Sequence, residues 1–131
     1  MKIIAEIIKE NGSFPNNSAL PLLLYKQVLS DIDSESVKAL FFDNTWGNSW
    51  LDGIYGFHHY HSNTHEVLGI VSGSCTLQVG GPEGISLKVE KGDVLIIPAG
   101  VSHKNLKATD DFLCLGAYPR EIDYDMNYGK Q

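Results

Sequence analysis

The sequence predicts an all-β fold, a barrel or sandwich of short strands, with one short helix in the N-terminal region. Three observations carry this expectation. After residue 52, short apolar segments recur at 53–61, 66–72, 74–80, 85–90, 93–98, 101–106 and 111–118, punctuated by glycine. Several of them alternate with a period of two. Cys75, Leu77 and Val79 face one way and Thr76 and Gln78 the other, and Ile85, Leu87 and Val89 alternate with Ser86, Lys88 and Glu90. The stretch Gly80-Gly81-Pro82-Glu83-Gly84 is a turn between two such strands. Strands this short, with turns this frequent, are the pattern of sandwiches and barrels.

Upstream of residue 52 the elements are taken in order. Residues 2–9 are rich in isoleucine and suit a strand or one amphipathic turn. Asn11-Gly12 and Pro15-Asn16-Asn17 mark turns. Residues 21–28 read as a strand entered at Pro21. A helix is expected over 33–42: Asp33 or Ser34 caps it, Glu35 lies in its first turn, and Val37, Leu40 and Phe41 share one face. Trp46 and Trp50 follow in a loop, as packing or interface residues. Residues 1–131 are read as a single domain, without internal repeat, linker or low-complexity tract.

Composition narrows the functional classes. The chain has 131 residues, a length that buries a core without disulfides or a structural metal. Ten basic residues stand against sixteen acidic ones, a net charge of −6, and Arg120 is the one arginine. A nucleic-acid surface needs clustered Lys and Arg, so nucleic acid is not expected as a partner. The longest apolar run, around Leu20 to Tyr25, is too short to cross a bilayer, and no membrane partner is expected. Glu6, Lys9 and Glu10 interrupt any apolar signal-peptide core. Cys75 and Cys114 form no CxxC pair and read as buried small hydrophobes. A cytoplasmic location is the resulting expectation.

The histidines carry the chemistry. Four of the five, His58, His59, His61 and His65, lie within eight residues. On a strand, side chains two apart share a face, so His59 and His61 point the same way. Glu66 follows after a four-residue turn and returns a carboxylate to the same place. His103 lies just after the bend Pro98-Ala99-Gly100. Three imidazoles and one carboxylate suit Fe, Mn, Ni, Co or Zn rather than Ca or Mg, which prefer oxygen shells. His58 has the opposite parity and is expected at the surface. His65 reaches the pocket only if it lies in a loop. Tyr55 and Phe57 share the parity of His59, and Asn105 that of His103, so all three are candidates to line the cup. The tail from Tyr118 to Tyr128 either closes over the barrel or packs along its outside, with the outside favoured.

Here the sequence resembles the cupin superfamily. The first cupin motif is a glycine, five residues, HxH, three or four residues, Glu, six residues and a glycine. This chain reads Gly53, five residues, His59-Tyr60-His61, four residues, Glu66, six residues, Gly73. The second motif is a glycine, five residues, PxG, two residues, His, three residues and Asn. This chain reads Gly92, five residues, Pro98-Ala99-Gly100, two residues, His103. The final Asn is displaced: Lys107 holds its place and Asn105 lies nearby. In cupins that Asn is not a ligand, so the departure concerns the pocket lining. The motifs span 53–106. The stretch 50–73 and the tail Gly116-Ala117-Tyr118-Pro119 resemble small single-domain bacterial cupins, a likeness that carries no substrate.

The resemblance implies a double-stranded β-helix, the RmlC-like jelly roll, with one divalent transition metal on His59, His61, Glu66 and His103. It also implies a homodimer, for which residues 2–9 and 21–28 are the expected edge. A small-molecule ligand is expected. Four protein ligands on a six-coordinate metal leave two positions open, which suits an oxygenase slightly ahead of an isomerase. The alternative is a non-catalytic module that binds or senses a sugar or organic acid.

Overall fold

A computed structural model describes residues 2–30 and 32–129. Nine strands and one helix follow in the order β1 (Lys2–Ile8), β2 (Asn17–Lys26), α1 (Ser34–Asp43), β3 (Trp46–Asp52), β4 (Glu66–Ser72), β5 (Ser74–Val79), β6 (Ile85–Glu90), β7 (Val94–Ile97), β8 (His103–Ala108) and β9 (Leu113–Pro119). All strand pairs are antiparallel. They form a six-stranded sheet, β1-β2-β7-β4-β9-β3, facing a three-stranded sheet, β6-β5-β8. This is the predicted all-β jelly roll with its one N-terminal helix.

Alternation in β5 positions its inward residues as read from the sequence. Cys75, Leu77 and Val79 are buried, and the residues between them are half-exposed. They meet Leu22, Leu24, Leu68, Ile70 and Leu95 of the large sheet in the interior of the barrel. Central β4 is buried from Glu66 to Val71 and has no polar outer face. The reason lies in α1. Val37 and Phe41 pack on the outside of the large sheet with Val67, Val71, Leu115 and Ala117, so this sheet has a core on both sides. Gly69 permits that approach, since a Cβ there would stand 2.7 Å from Val37 Cγ1. Asp33 caps the helix by accepting from the Ser36 amide at 2.9 Å.

Three expectations change. The segment with Trp46 and Trp50 is a strand, β3, paired along β9, rather than a loop. Its polar Asn48 and Ser49 obscure the alternation, and they fall where the register shifts between Gly47 and Trp50. Strand β2 begins at Asn17 rather than at Pro21. Pro21 sits within the irregular register between Glu6 and Ile8 of β1, where a missing N–H is tolerated. Finally, 53–61 is not a continuous strand. His59 forms an isolated bridge to His103, and Tyr60 one to Asn127.

Candidate metal centre

Two imidazoles of the site hang on that short bridged segment. His59 and His61 are buried and Tyr60 between them is half-buried, so two-residue parity holds although the strand does not. The His59 amide donates to the His103 carbonyl at 3.2 Å and the His103 amide donates to the His59 carbonyl at 2.9 Å, which binds the segment to β8. Glu66 opens β4 and His103 opens β8. The bend at Pro98-Ala99-Gly100 is held by Gly100 N–H donating to the His61 carbonyl at 2.8 Å.

One nitrogen from each of His59, His61 and His103 converges, all within 4.8 Å of one another. Glu66 closes the group, with Oε1 3.3 Å from His103 Nε2 and Oε2 3.5 Å from His61 Nε2. All four side chains are buried. The opposite ring nitrogens are anchored. Nδ1 of His59 meets the Phe57 carbonyl at 3.0 Å, that of His61 the Asp125 carbonyl at 2.7 Å, and that of His103 the Val101 carbonyl at 3.2 Å. A carbonyl only accepts, so each Nδ1 is assigned the proton and each Nε2 keeps its lone pair.

The donor set therefore fits a cation. Three lone pairs and a carboxylate face one point, an arrangement that is unfavourable unless something positive lies among them. A single proton relieves one pair and leaves the other acceptors opposed. Electrostatics of the metal-free site follow the same logic. Burial, with His103 close by, lowers the pKa of His59 to about 3 and keeps it neutral. Burial also opposes charge on His61, but hydrogen bonding to Glu66 outweighs it and raises that pKa. For Glu66, burial favours protonation, and the His103 and His61 rings overcome it and hold the carboxyl well below the usual range.

Behind the ligands lies a buried relay. Trp50 Nε1 donates to the Tyr118 hydroxyl at 2.8 Å, and that hydroxyl donates to Glu66 Oε2 at 2.6 Å. Burial first, and then the Glu66 charge, push the Tyr118 pKa far up, so the phenol keeps its proton. Gly116 makes room for the indole, since a Cβ there would stand 2.3 Å from the Trp50 ring.

The tail closes over the cup rather than packing along its outside. Asp125 anchors it. Its carboxylate accepts from the Ser62 amide at 2.7 Å, from the Ser62 hydroxyl and from Asn127 Nδ2 at 3.1 Å. Asn63 answers by accepting from the Asp125 amide at 3.2 Å and donating to the Asp123 carbonyl at 2.9 Å. Tyr124 stacks on Tyr118 at 4.6 Å and stands against His61 at 4.9 Å. The cavity has a volume of about 190 Å³. Its walls include Trp50, Leu51, Asp52, Ile54, Tyr55, Leu68, Tyr118, Tyr124 and Met126 around the four clustered side chains.

Of the four expected lining residues, Tyr55 lines the cavity, and the other three are not among its walls. Phe57 stacks on Tyr55 at 4.9 Å and is 43% exposed. Asn105 Nδ2 donates to the Ile54 carbonyl at 3.3 Å, and the Asn105 amide donates to Tyr55 O, so it ties the loop to β8. His65 Nδ1 accepts from the Ala99 amide at 2.8 Å and pins the 98–100 bend instead of reaching the cup. His58 packs on Phe14, with ring centroids 5.4 Å apart. Trp50, Tyr124 and Met126 were not foreseen as walls. Aromatic residues in β3 and the tail are the signal, but the pairing of β3 with β9 places Trp50, and the Asp125 bonds to Ser62 and Asn127 place the tail.

These features define a cupin, and the chain belongs to that family. The model of the Cupin domain matches residues 53–114. The uncharacterized protein YjlB of Bacillus subtilis is 40% identical over 121 residues, which is 92% of this chain and 72% of that protein. Among solved structures, an acireductone dioxygenase from Bacillus anthracis with a cadmium ion in its active centre is 17% identical. It aligns over 82% of this chain and 80% of its own, with a TM-score of 0.51. A mutant oxalate decarboxylase from Bacillus subtilis is 20% identical over 94% of this chain, with a TM-score of 0.50. This chain spans 29% of the length of that enzyme. At these identities both likenesses concern the fold. No helix among the described residues is long and apolar enough to cross a membrane.

Proposed function

We propose that the chain is a metal-dependent enzyme of the cupin family acting on a small organic molecule, with oxygenation ahead of isomerisation. The observation that carries this is the convergence of three lone-pair nitrogens and the Glu66 carboxylate at the floor of a cavity of about 190 Å³. His59, His61, His103 and Glu66 would hold one divalent transition metal, Fe, Mn, Co, Ni or Zn. Bound there, such a metal supplies Lewis acidity and open coordination positions for a substrate and for dioxygen or water. The carbonyls of Phe57, Asp125 and Val101 keep the imidazoles oriented. Tyr118 holds one Glu66 oxygen.

Oxygenation ranks first because isomerisation needs a free side chain to move a proton. Among the described walls, Tyr118 commits its proton to Glu66, Asp52 accepts from the Gly53 amide, and the hydroxyls of Tyr55 and Tyr124 are the other side-chain O–H groups. The same scarcity of a free acid or base supports the second reading, a non-catalytic module that binds a small molecule. Elemental analysis of protein purified without chelators tests the metal. Oxygen uptake and product analysis across a metabolite panel, with each of Fe(II), Mn, Ni and Zn, test the reaction. Metal far below one ion per chain, unchanged by His59→Ala with His61→Ala, overturns the proposal. A ligand that stabilises the protein and is recovered unchanged favours the binding module.

A single domain, a homodimer and a cytoplasmic setting belong to this reading. Ile3 and Ile7 are 50% and 43% exposed on β1, the edge of the large sheet, which supports pairing there. Both cysteines are buried and unpaired, in keeping with a reducing compartment. Light scattering checks the dimer.

A further inference from the structure

We infer that the cavity takes a small, mostly apolar molecule carrying at most one negative charge, and that it rejects doubly charged anions such as dicarboxylates and phosphate esters. The inference deepens the metal-dependent reading above and names the chemical class of its ligand.

Charge is the first ground. Among the described walls there is no Lys and no Arg. The charged side chains are Glu66 at the floor and Asp52 at the mouth. A divalent ion on Glu66 leaves one net positive charge at the floor, which neutralises one negative charge on a ligand, and Asp52 at the entrance repels a second. A second has no cationic partner among the walls, and a charge held there without one is costly. Tyr118 does not substitute for a cation, because its proton is already given to Glu66, and the hydroxyls of Tyr55 and Tyr124 carry no positive charge.

Surface chemistry is the second ground. Leu51, Ile54, Leu68 and Met126 join the rings of Trp50 and Tyr124 around the site. Such walls recognise an apolar or aromatic body and make few hydrogen bonds to a polyhydroxylated one. A sugar would leave most of its hydroxyls unpaired there, so this chemistry also disfavours sugars. The tail determines the selection, since Tyr124 and Met126 belong to the segment that Asp125 ties over the mouth.

A charge series on one ring tests the inference by calorimetric titration of the full chain, Zn-loaded and metal-free. The probes are catechol, benzoate and phthalate. On the Zn-loaded protein, catechol and benzoate should bind at least about tenfold more tightly than phthalate, a gap of about 1.4 kcal/mol or more. Asp52→Lys supplies the missing cation and should narrow the gap severalfold. Tyr124→Ala should weaken catechol about fivefold while leaving acetohydroxamate, a small non-aromatic chelator, within about twofold. Phthalate binding as tightly as benzoate, or no binding of any ring ligand in either form, overturns the inference. Failure to take up Zn is a separate result that overturns the metal reading. In that case the metal-free protein still judges the lining, because phenol should bind it more tightly than benzoate or phthalate. An order in which the anions bind better refutes the selection.

Discussion

Replacing Tyr118 by phenylalanine removes one oxygen atom from the relay behind the metal centre and leaves the ring in place. In the folded protein that oxygen accepts from Trp50 Nε1 at 2.8 Å and donates to Glu66 Oε2 at 2.6 Å. Tyr118 is 1% exposed, so water does not take over either role. Loss of a hydrogen bond to a charged, buried carboxylate costs about 1.5–3 kcal/mol. The indole N–H of partly buried Trp50 is left without a partner, at about 1 kcal/mol. The variant should therefore be less stable by about 2–4 kcal/mol, which for a chain of this size lowers Tm by about 8–16 °C. Glu66 also loses the group that orients it, and loss of such outer partners costs about 10–100-fold in metal affinity. Urea unfolding of the metal-free protein reads the first effect, and Zn competition against a chromophoric chelator reads the second. Tyr124→Phe, whose hydroxyl takes no part in the relay, is the control and should be close to neutral. A Tyr118→Phe protein within about 0.5 kcal/mol and twofold of the parent in the two assays would refute the relay.

Other outcomes follow from the same geometry. Asp125→Ala removes the carboxylate that ties the tail to Ser62 and Asn127. The Asp125 carbonyl then drifts from His61 Nδ1, and Zn affinity should fall about tenfold, with Asp125→Asn recovering part of it. Gly116→Ala places a Cβ on the Trp50 ring and should break the Trp50–Tyr118 bond, seen as a shift in tryptophan emission and a loss of about 2 kcal/mol. For the metal-free protein, acid is the discriminating variable. His59 falls from 6.5 to about 3 on folding, so the unfolded chain binds the proton first as pH drops. Its contribution to stability is complete above 6.5 and is lost progressively towards 3, by up to about 5 kcal/mol. His61, raised on folding, opposes part of this loss, whereas Glu66, lowered on folding, adds to it below 4.5. Urea midpoints measured from pH 7 to 4 should decline, and His59→Gln should flatten the curve. A midpoint that rises on acidification contradicts the buried neutral ring.

Much of the architecture was legible because its signals are local. Alternation in β5 and β6, the turn at 80–84 and the Asp33 cap each involve neighbours along the chain, whose side chains obey strand parity or helix geometry whatever packs on them. The parity of His59 and His61 belongs to the same category, whereas Glu66 and His103, which open two other strands, join them through the spacing of the cupin motifs. What escaped notice has a common cause. Strand β3 has weak alternation of its own and exists because β9 offers it a partner. Asn105 has the parity of His103, yet parity says which side of the sheet a residue faces and not that a loop carbonyl waits there. In this chain Ile54 O does, and it accepts from Asn105 Nδ2.

By itself, the sequence determined the fold class, the one helix and the candidate ligand set, because backbone sterics and short-range periodicity act within a few residues. The tertiary structure decided the rest: the anchored ring nitrogens, the Trp50–Tyr118–Glu66 relay and the tail that adds Tyr124 and Met126 to the cavity walls. The relay joins side chains 68 and 52 positions apart, and the Asp125 carbonyl that anchors His61 is 64 positions from it. No local rule ranks such pairs, and only burial in a closed barrel makes each donor find its acceptor.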